Sequence, residues 1–132
     1  MSFQGEPERA AIQQLVEHYF DGLFYSDVNQ LQEVLHPAAL YATVIDNTLR
    51  RLTMDEYWPV VRARKSPASQ GQARQDKITA VDIVGTTTAL VKVECAIAPY
   101  FYHDLLSLLK LEGRWWIIAK VFQMEREAVN IR

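Results

Sequence analysis

The second half of the chain reads as one uninterrupted antiparallel meander. Residues 74–85, 87–98, 101–111 and 114–126 are four β-type segments, parted only by Gly85-Thr86, Ala98-Pro99-Tyr100 and Glu112-Gly113. The first half reads as helix, so helices precede a long sheet, the order of an α+β domain whose layers share one core. In the second strand Ala89, Val91, Val93, Cys95 and Ile97 alternate with Leu90, Lys92, Glu94 and Ala96, which marks a single buried face. The last two strands are apolar on both parities: Leu105, Leu109 and Leu111 against Leu106 and Leu108, then Trp115 and Ile117 against Trp116, Ile118 and Phe122. Helices cover one face of such a sheet, and the other asks for a second copy of the chain, so a homodimer through the sheet face is expected.

Upstream, Ile12, Leu15, Val16, Tyr19, Phe20, Leu23 and Phe24 recur at helical spacing and predict an amphipathic helix over 6–25. Ser26-Asp27 offers an N-cap for a short second helix through Val28, Leu31, Val34 and Leu35, stopped by His36-Pro37. Residues 38–45 read as a strand, Asp46-Asn47 as a turn, and Leu49–Leu52 as its return. Thr53 and Glu56 form a capping-box pattern that opens a third helix through about Arg64, with Pro59 near the end of its first turn. Residues 65–72 make a polar connector, the expected mobile loop. The 132 residues fit a single domain, 1–132.

A balance of 14 Lys and Arg against 16 Asp and Glu gives net charge −2, which argues against a general nucleic-acid binder. Residues 1–7 carry neither a basic nor an apolar leader, and no apolar run approaches a membrane span, so no membrane partner is expected. Cys95 is alone in an apolar run, which implies a buried thiol and a reducing, cytoplasmic setting. His18, His36 and His103 lack metal-ligand spacing, no G-x-S-x-G occurs, and Gly-rich phosphate loops are missing, so neither metal nor cofactor is implied. The cluster Arg62, Arg64, Lys65, Arg74 and Lys77 is read as solvated surface, with docking of an acidic partner or of a ligand's anionic end as the other use.

Residues 19–27 (Tyr19 to Asp27), 34–41 (Val34 to Tyr41), Met54-Asp55-Glu56-Tyr57-Trp58 and 109–115 (Leu109 to Trp115) together resemble the nuclear transport factor two-like superfamily. That superfamily is a cone-shaped α+β fold shared with ketosteroid isomerases, SnoaL-type polyketide cyclases and scytalone dehydratase. Within it the chain is similar to the small bacterial SnoaL-like proteins and the group called putative lumazine-binding. The resemblance implies helices packed in the concavity of a strongly curved, mostly antiparallel sheet. It also implies a cone lined by Tyr19, Phe20, Tyr41, Tyr57, Trp58 and Phe101, and by Trp116, Ile118 and Phe122, with Tyr19, His103, Ser107 and Lys120 as polar points. Such a cavity suits a small aromatic or cyclic ligand.

An isomerase of this superfamily needs an Asp base and two oxyanion donors, a Tyr and a protonated Asp. Tyr19 matches the tyrosine, but an ungapped lay puts the base near Thr43 and the second donor near Ser107. Asp46 serves as base only after a register shift, and Asp104 is expected on the opposite face of its strand. His103, set on the side of Phe101, Leu105 and Ser107, is the imidazole candidate for proton transfer or water elimination. Three functions stay open: a homodimeric ligand-binding cone; an isomerase, dehydratase or cyclase using Tyr19, Asp46 or His103; and a protein-interaction module that uses the sheet face.

Overall fold

The computed structural model describes residues 5–126; residues 1–4 and 127–132 lie outside the described part. Helix α1 runs Gly5–Phe24 and α2 Val28–Gln32, followed by β1 Leu35–Ile45, β2 Thr48–Thr53 and α3 Met54–Ala63. The meander is β3 Asp76–Val84, β4 Thr88–Ile97, β5 Tyr100–Leu111 and β6 Arg114–Arg126. One six-stranded sheet results, in the order β2-β1-β6-β5-β4-β3. Every neighbouring pair is antiparallel except β1 with β6. The sheet wraps the helices: α1 lies against β3, β4 and β6, and α3 against β1 and β2. This is the expected α+β arrangement, with one core between helices and concave sheet face.

Local chemistry sets most boundaries. The Asp27 carboxylate accepts from the Gln30 amide and starts α2, while Thr53 and Glu56 close a reciprocal capping box that starts α3. Asp46 and Asn47, both at positive φ, form the two-residue turn between β1 and β2; Glu112 and Gly113 do the same between β5 and β6. The polar connector is tied to the sheet at its C-terminal end. Gln72 donates from its amide to the Ala96 carbonyl at 2.8 Å and accepts from the Ala98 amide at 2.9 Å.

The second helix ends earlier than its apolar spacing predicts. The Ile117 amide donates to the Val34 carbonyl at 2.9 Å, and Leu35 pairs with Ile117, so the chain enters the sheet before Pro37. Pro37 survives inside β1 because the β1–β6 register breaks between Leu35 and Leu40, where no ladder amide is needed.

Two register details decide what faces the core. The loop from β4 to β5 has two residues, with Ile97 opposite Tyr100, not three. Cys95 therefore opposes Tyr102 and Val93 opposes Asp104, and Tyr102, Asp104, Leu106 and Leu108 share the buried face of β4. In β6 a one-residue bulge falls at Ile118, since Ser107 pairs with Ala119 and Leu108 with Ile117. Trp115 and Ile117 point inward before the bulge, and Lys120 and Phe122 point inward after it.

Candidate functional site

The inward side chains of β5 and β6 meet α1 and α3 at a polar cluster inside the apolar core. Tyr19, on the buried stripe of α1, donates its hydroxyl to Asp104 Oδ2 at 2.7 Å. Lys120, one cross-strand diagonal from Asp104, brings Nζ to 4.0 Å from the same oxygen. Both charged residues are buried, Asp104 at 1% exposure and Lys120 at 3%. The ammonium also lies 5.2 to 5.8 Å from the ring centroids of Phe122, Tyr19, Tyr57, Tyr41 and Tyr102, within cation–π range of all five.

This enclosure shifts the titrations. Burial opposes the Lys120 ammonium, but the Tyr57 oxygen and the Asp104 carboxylate outweigh it, and the pKa rises. Burial, reinforced by the Asp104 charge, drives the Tyr19 phenol well above its ordinary value. The Cys95 thiol faces the same groups and is pushed up to about 12, by burial first and by Asp104 second. At neutral pH the cluster therefore holds a phenol that donates, a cation that keeps its proton and an inert thiol.

Three polar atoms here find no hydrogen-bond partner among the described residues: Tyr57 Oη, Asp104 Oδ1 and Arg64 Nη1. Arg64 caps the C-terminus of α3, lies against the Tyr57 hydroxyl and is within Coulombic reach of Tyr57, Tyr102 and Tyr41. Contrary to the solvated surface that its basic neighbours imply, its guanidinium is turned toward the tyrosines of the cone. Thr43, at the position expected for a base, donates its hydroxyl to the Phe122 carbonyl at 2.6 Å, so it holds strands β1 and β6 together.

The structure brings together some of the residues picked out in sequence and separates others. Tyr19, Tyr41, Tyr57, Lys120 and Phe122 converge, with Trp58 packed on Tyr57 at 5.5 Å. Phe20 is buried beside Tyr19 but borders the small space next to Cys95 and Ile97. The other placements correct the expectation. His103 lies on the outer sheet face, stacked edge-on against Phe101 at 5.1 Å, with Glu94 at 3.4 Å and Glu125 at 3.6 Å from its two nitrogens. Ser107 shares that outer parity, opposite Ala119, because the two-residue loop flips the face of β5. Trp116 is also outward, under the Arg114 guanidinium at 3.6 Å, and Ile118 is the bulge residue. Asp46 sits exposed in its turn, remote from the cone by topology. Asp104, Tyr102 and Arg64 were missed as site residues. The alternation on β4, carried across a two-residue loop, is the signal that would have found Asp104.

Concavities also lie outside the polar cluster. A groove of about 700 Å³ runs between α1 and the β5–β6 hairpin, where Glu8 accepts from Lys110 at 2.8 Å and from Trp115 at 2.7 Å. Another, of about 460 Å³, lies on the outer sheet face around His103, Leu105 and Val121. Among the described residues no three His, Cys, Asp or Glu side chains are grouped as metal ligands, and no helix is long and apolar enough to cross a membrane.

Solved structures with this architecture confirm the fold. An NTF-2 like protein of unknown function from Silicibacter pomeroyi DSS-3 superposes with TM-score 0.82 at 23% identity, covering 92% of this chain and 98% of that one. An NTF2-like protein of unknown function from Shewanella baltica OS155 gives 0.83 at 22% identity, covering 96% and 99%. A ketosteroid isomerase-like protein from Erwinia carotovora atroseptica SCRI1043 gives 0.71 at 15% identity, covering 90% and 97%. At these identities the likeness shows the fold alone. No curated protein matches the chain. Residues 7–123 match the profile of the family described as "Putative lumazine-binding", and the chain belongs to that family.

Proposed function

We propose that the protein is a homodimeric small-molecule-binding protein whose cone receives a flat, partly polar ligand. One observation carries the reading: Tyr57 Oη, Asp104 Oδ1 and Arg64 Nη1 stand without partners around the aromatic box of Lys120. Buried polar atoms are satisfied in nearly all native proteins, so water or a ligand completes these three. The family's description names lumazine, which makes that flat ring system the first compound to try. A thermal-shift and native mass-spectrometry screen of cyclic and aromatic compounds tests the reading. It should raise Tm for at least one class, and the gain should vanish in Asp104→Asn. If nothing binds and ordered waters occupy all three polar atoms in a crystal structure, the reading fails.

An enzymatic reading draws on the Tyr19–Asp104 bond, since a buried Tyr beside an Asp is two thirds of an isomerase site. Thr43 supplies no base, and Lys120 and Tyr19 are shifted away from neutrality, whereas a general acid or base works best near the operating pH. Solvent-deuterium exchange into a cyclic ketone, catalysed by the wild type and lost in Tyr19→Phe, would promote that reading above simple binding.

For the dimer, the outer face leaves Leu105, Leu109 and Val121 at 42%, 39% and 46% exposure, a continuous apolar surface on β5 and β6. A second copy is its proposed cover. Sedimentation equilibrium should return twice the chain mass for the wild type and the chain mass for Leu105→Glu. A monomeric wild type would hand this face to a different protein partner. The cytoplasmic setting rests on Cys95, a free thiol that a reducing compartment preserves.

A further inference from the structure

We infer that two copies of the chain pair through the outer sheet face along a row of alternating charges, and that protonation of His103 completes the match. The inference rests on the homodimer reading above and adds its register and its dependence on pH. Lys77 of β3 stands opposite Glu94 of β4, which stands opposite His103 of β5, and Glu125 of β6 reaches His103 from the diagonal position. The steps are short: 3.9 Å from Lys77 to Glu94, 3.4 Å from Glu94 to His103 and 3.6 Å from His103 to Glu125. The row thus crosses four neighbouring strands with signs plus, minus, titratable and minus. All four side chains reach solvent, and Leu105 and Val121 of the apolar patch lie beside them.

Such a row fits a reversed copy of itself. A twofold axis lying in the interface, parallel to the strands and midway between β4 and β5, sets Lys77 against the partner's Glu125 and Glu94 against the partner's His103. The outer contacts are ion pairs whatever the state of the imidazole. The central two become ion pairs only when His103 carries its proton, and otherwise Glu94 is covered by an uncharged ring and loses water without compensation. An axis across the strands through the row would instead set Lys77 on Lys77 and Glu94 on Glu94, and like charges oppose association. Among the described residues the remaining charged group beside His103 is Lys92, which lines the same concavity; Gln123 and Phe101, its other neighbours, carry no charge. The same axis lays the Lys92 stem on the partner's Leu105 and leaves its ammonium free to reach water. Association therefore takes up protons, and the dimer tightens as pH falls through the range in which histidine titrates.

Sedimentation equilibrium of the full chain at pH 8 and pH 5.5 tests the match. The wild-type dimer Kd should be about tenfold lower at pH 5.5, as two added, partly exposed ion pairs imply. His103→Gln should keep Kd near its pH 8 value under both conditions, and His103→Lys, a permanent cation, near its pH 5.5 value. Carbodiimide coupling of mixed isotope-labelled and unlabelled chains, read by mass spectrometry, should join Lys77 of one chain to Glu125 of the other. A Kd equal at the two pH values, a pH dependence that survives His103→Gln, or a cross-linked dimer without that link overturns the inference and leaves the homodimer reading standing. A wild type that is monomeric at both pH values overturns the two together and gives the face to a different protein.

Discussion

The Asp104–Lys120 pair offers the sharpest test of how the cone is held. At 4.0 Å, in surroundings of effective dielectric near 20, two unit charges attract by about 4 kcal/mol. Side-chain exposures of 0% and 4% leave almost no solvent to weaken that figure. Asp104→Asn removes the charge but keeps a carbonyl oxygen to accept from Tyr19, and Lys120→Met keeps a linear apolar stem inside the five rings. Each single change strands its partner's charge in the core and should cost about 3 kcal/mol, the lower end of what breaking a buried pair costs. The double variant strands neither, so its loss should fall short of the sum by about 2 to 4 kcal/mol. Urea unfolding of the four proteins at pH 7 measures that coupling from midpoints and slopes. Repeating the series in 1 M salt separates a buried pair from a surface pair, because only the latter is screened. A coupling below about 0.5 kcal/mol, or one that collapses in salt, would refute a desolvated ion pair.

Other consequences are cheaper to check. Gly22 faces α2 so closely that a Cβ would meet Leu31 Cδ2 at 2.6 Å and Cγ at 2.7 Å. Gly22→Ala should therefore cost about 1 to 3 kcal/mol by overpacking the α1–α2 corner, read as a fall in Tm; an unchanged Tm would show that the corner is slack. Thr43→Val should lower stability by about 1 kcal/mol through the lost bond to the Phe122 carbonyl, without changing ligand affinity, and altered affinity would return Thr43 to the site. Stability should also fall in alkali. The folded Cys95 thiol keeps its proton to about 12, against an ordinary value of 9.0, so the unfolded chain ionises first and stability declines from pH 9 toward 12. The full loss is about 4 kcal/mol at 1.36 per pH unit, and the raised values of Tyr19 and Lys120 act in the same direction. A urea midpoint equal at pH 8 and 10.5, or rapid alkylation of Cys95 at pH 8, would contradict this burial.

Helices and turns were legible in the sequence because their causes are local. The α1 stripe, the Thr53–Glu56 box and the Asp46-Asn47 and Glu112-Gly113 turns each need only a few neighbouring residues to specify them. The second helix misled because its end is set by Ile117, far away in sequence, which captures the Val34 carbonyl and draws Leu35 into the sheet. The site was harder for a related reason. Strand β5 carries apolar residues on both parities, so its composition does not say whether His103 and Ser107 or Asp104 face the core. That choice depends on one residue in the β4–β5 loop. Three loop residues would oppose Cys95 to His103, whereas the observed two oppose it to Tyr102 and turn Asp104 inward toward Tyr19. The bulge at Ile118 repeats the effect on β6. Without the extra residue, Trp115 and Ile117 could not share a face with Lys120 and Phe122, and the ammonium would leave the aromatic box. The chemistry of the cone is thus fixed by two single-residue register choices, and each is stabilised by pairing across the whole sheet, not by the residues that make it.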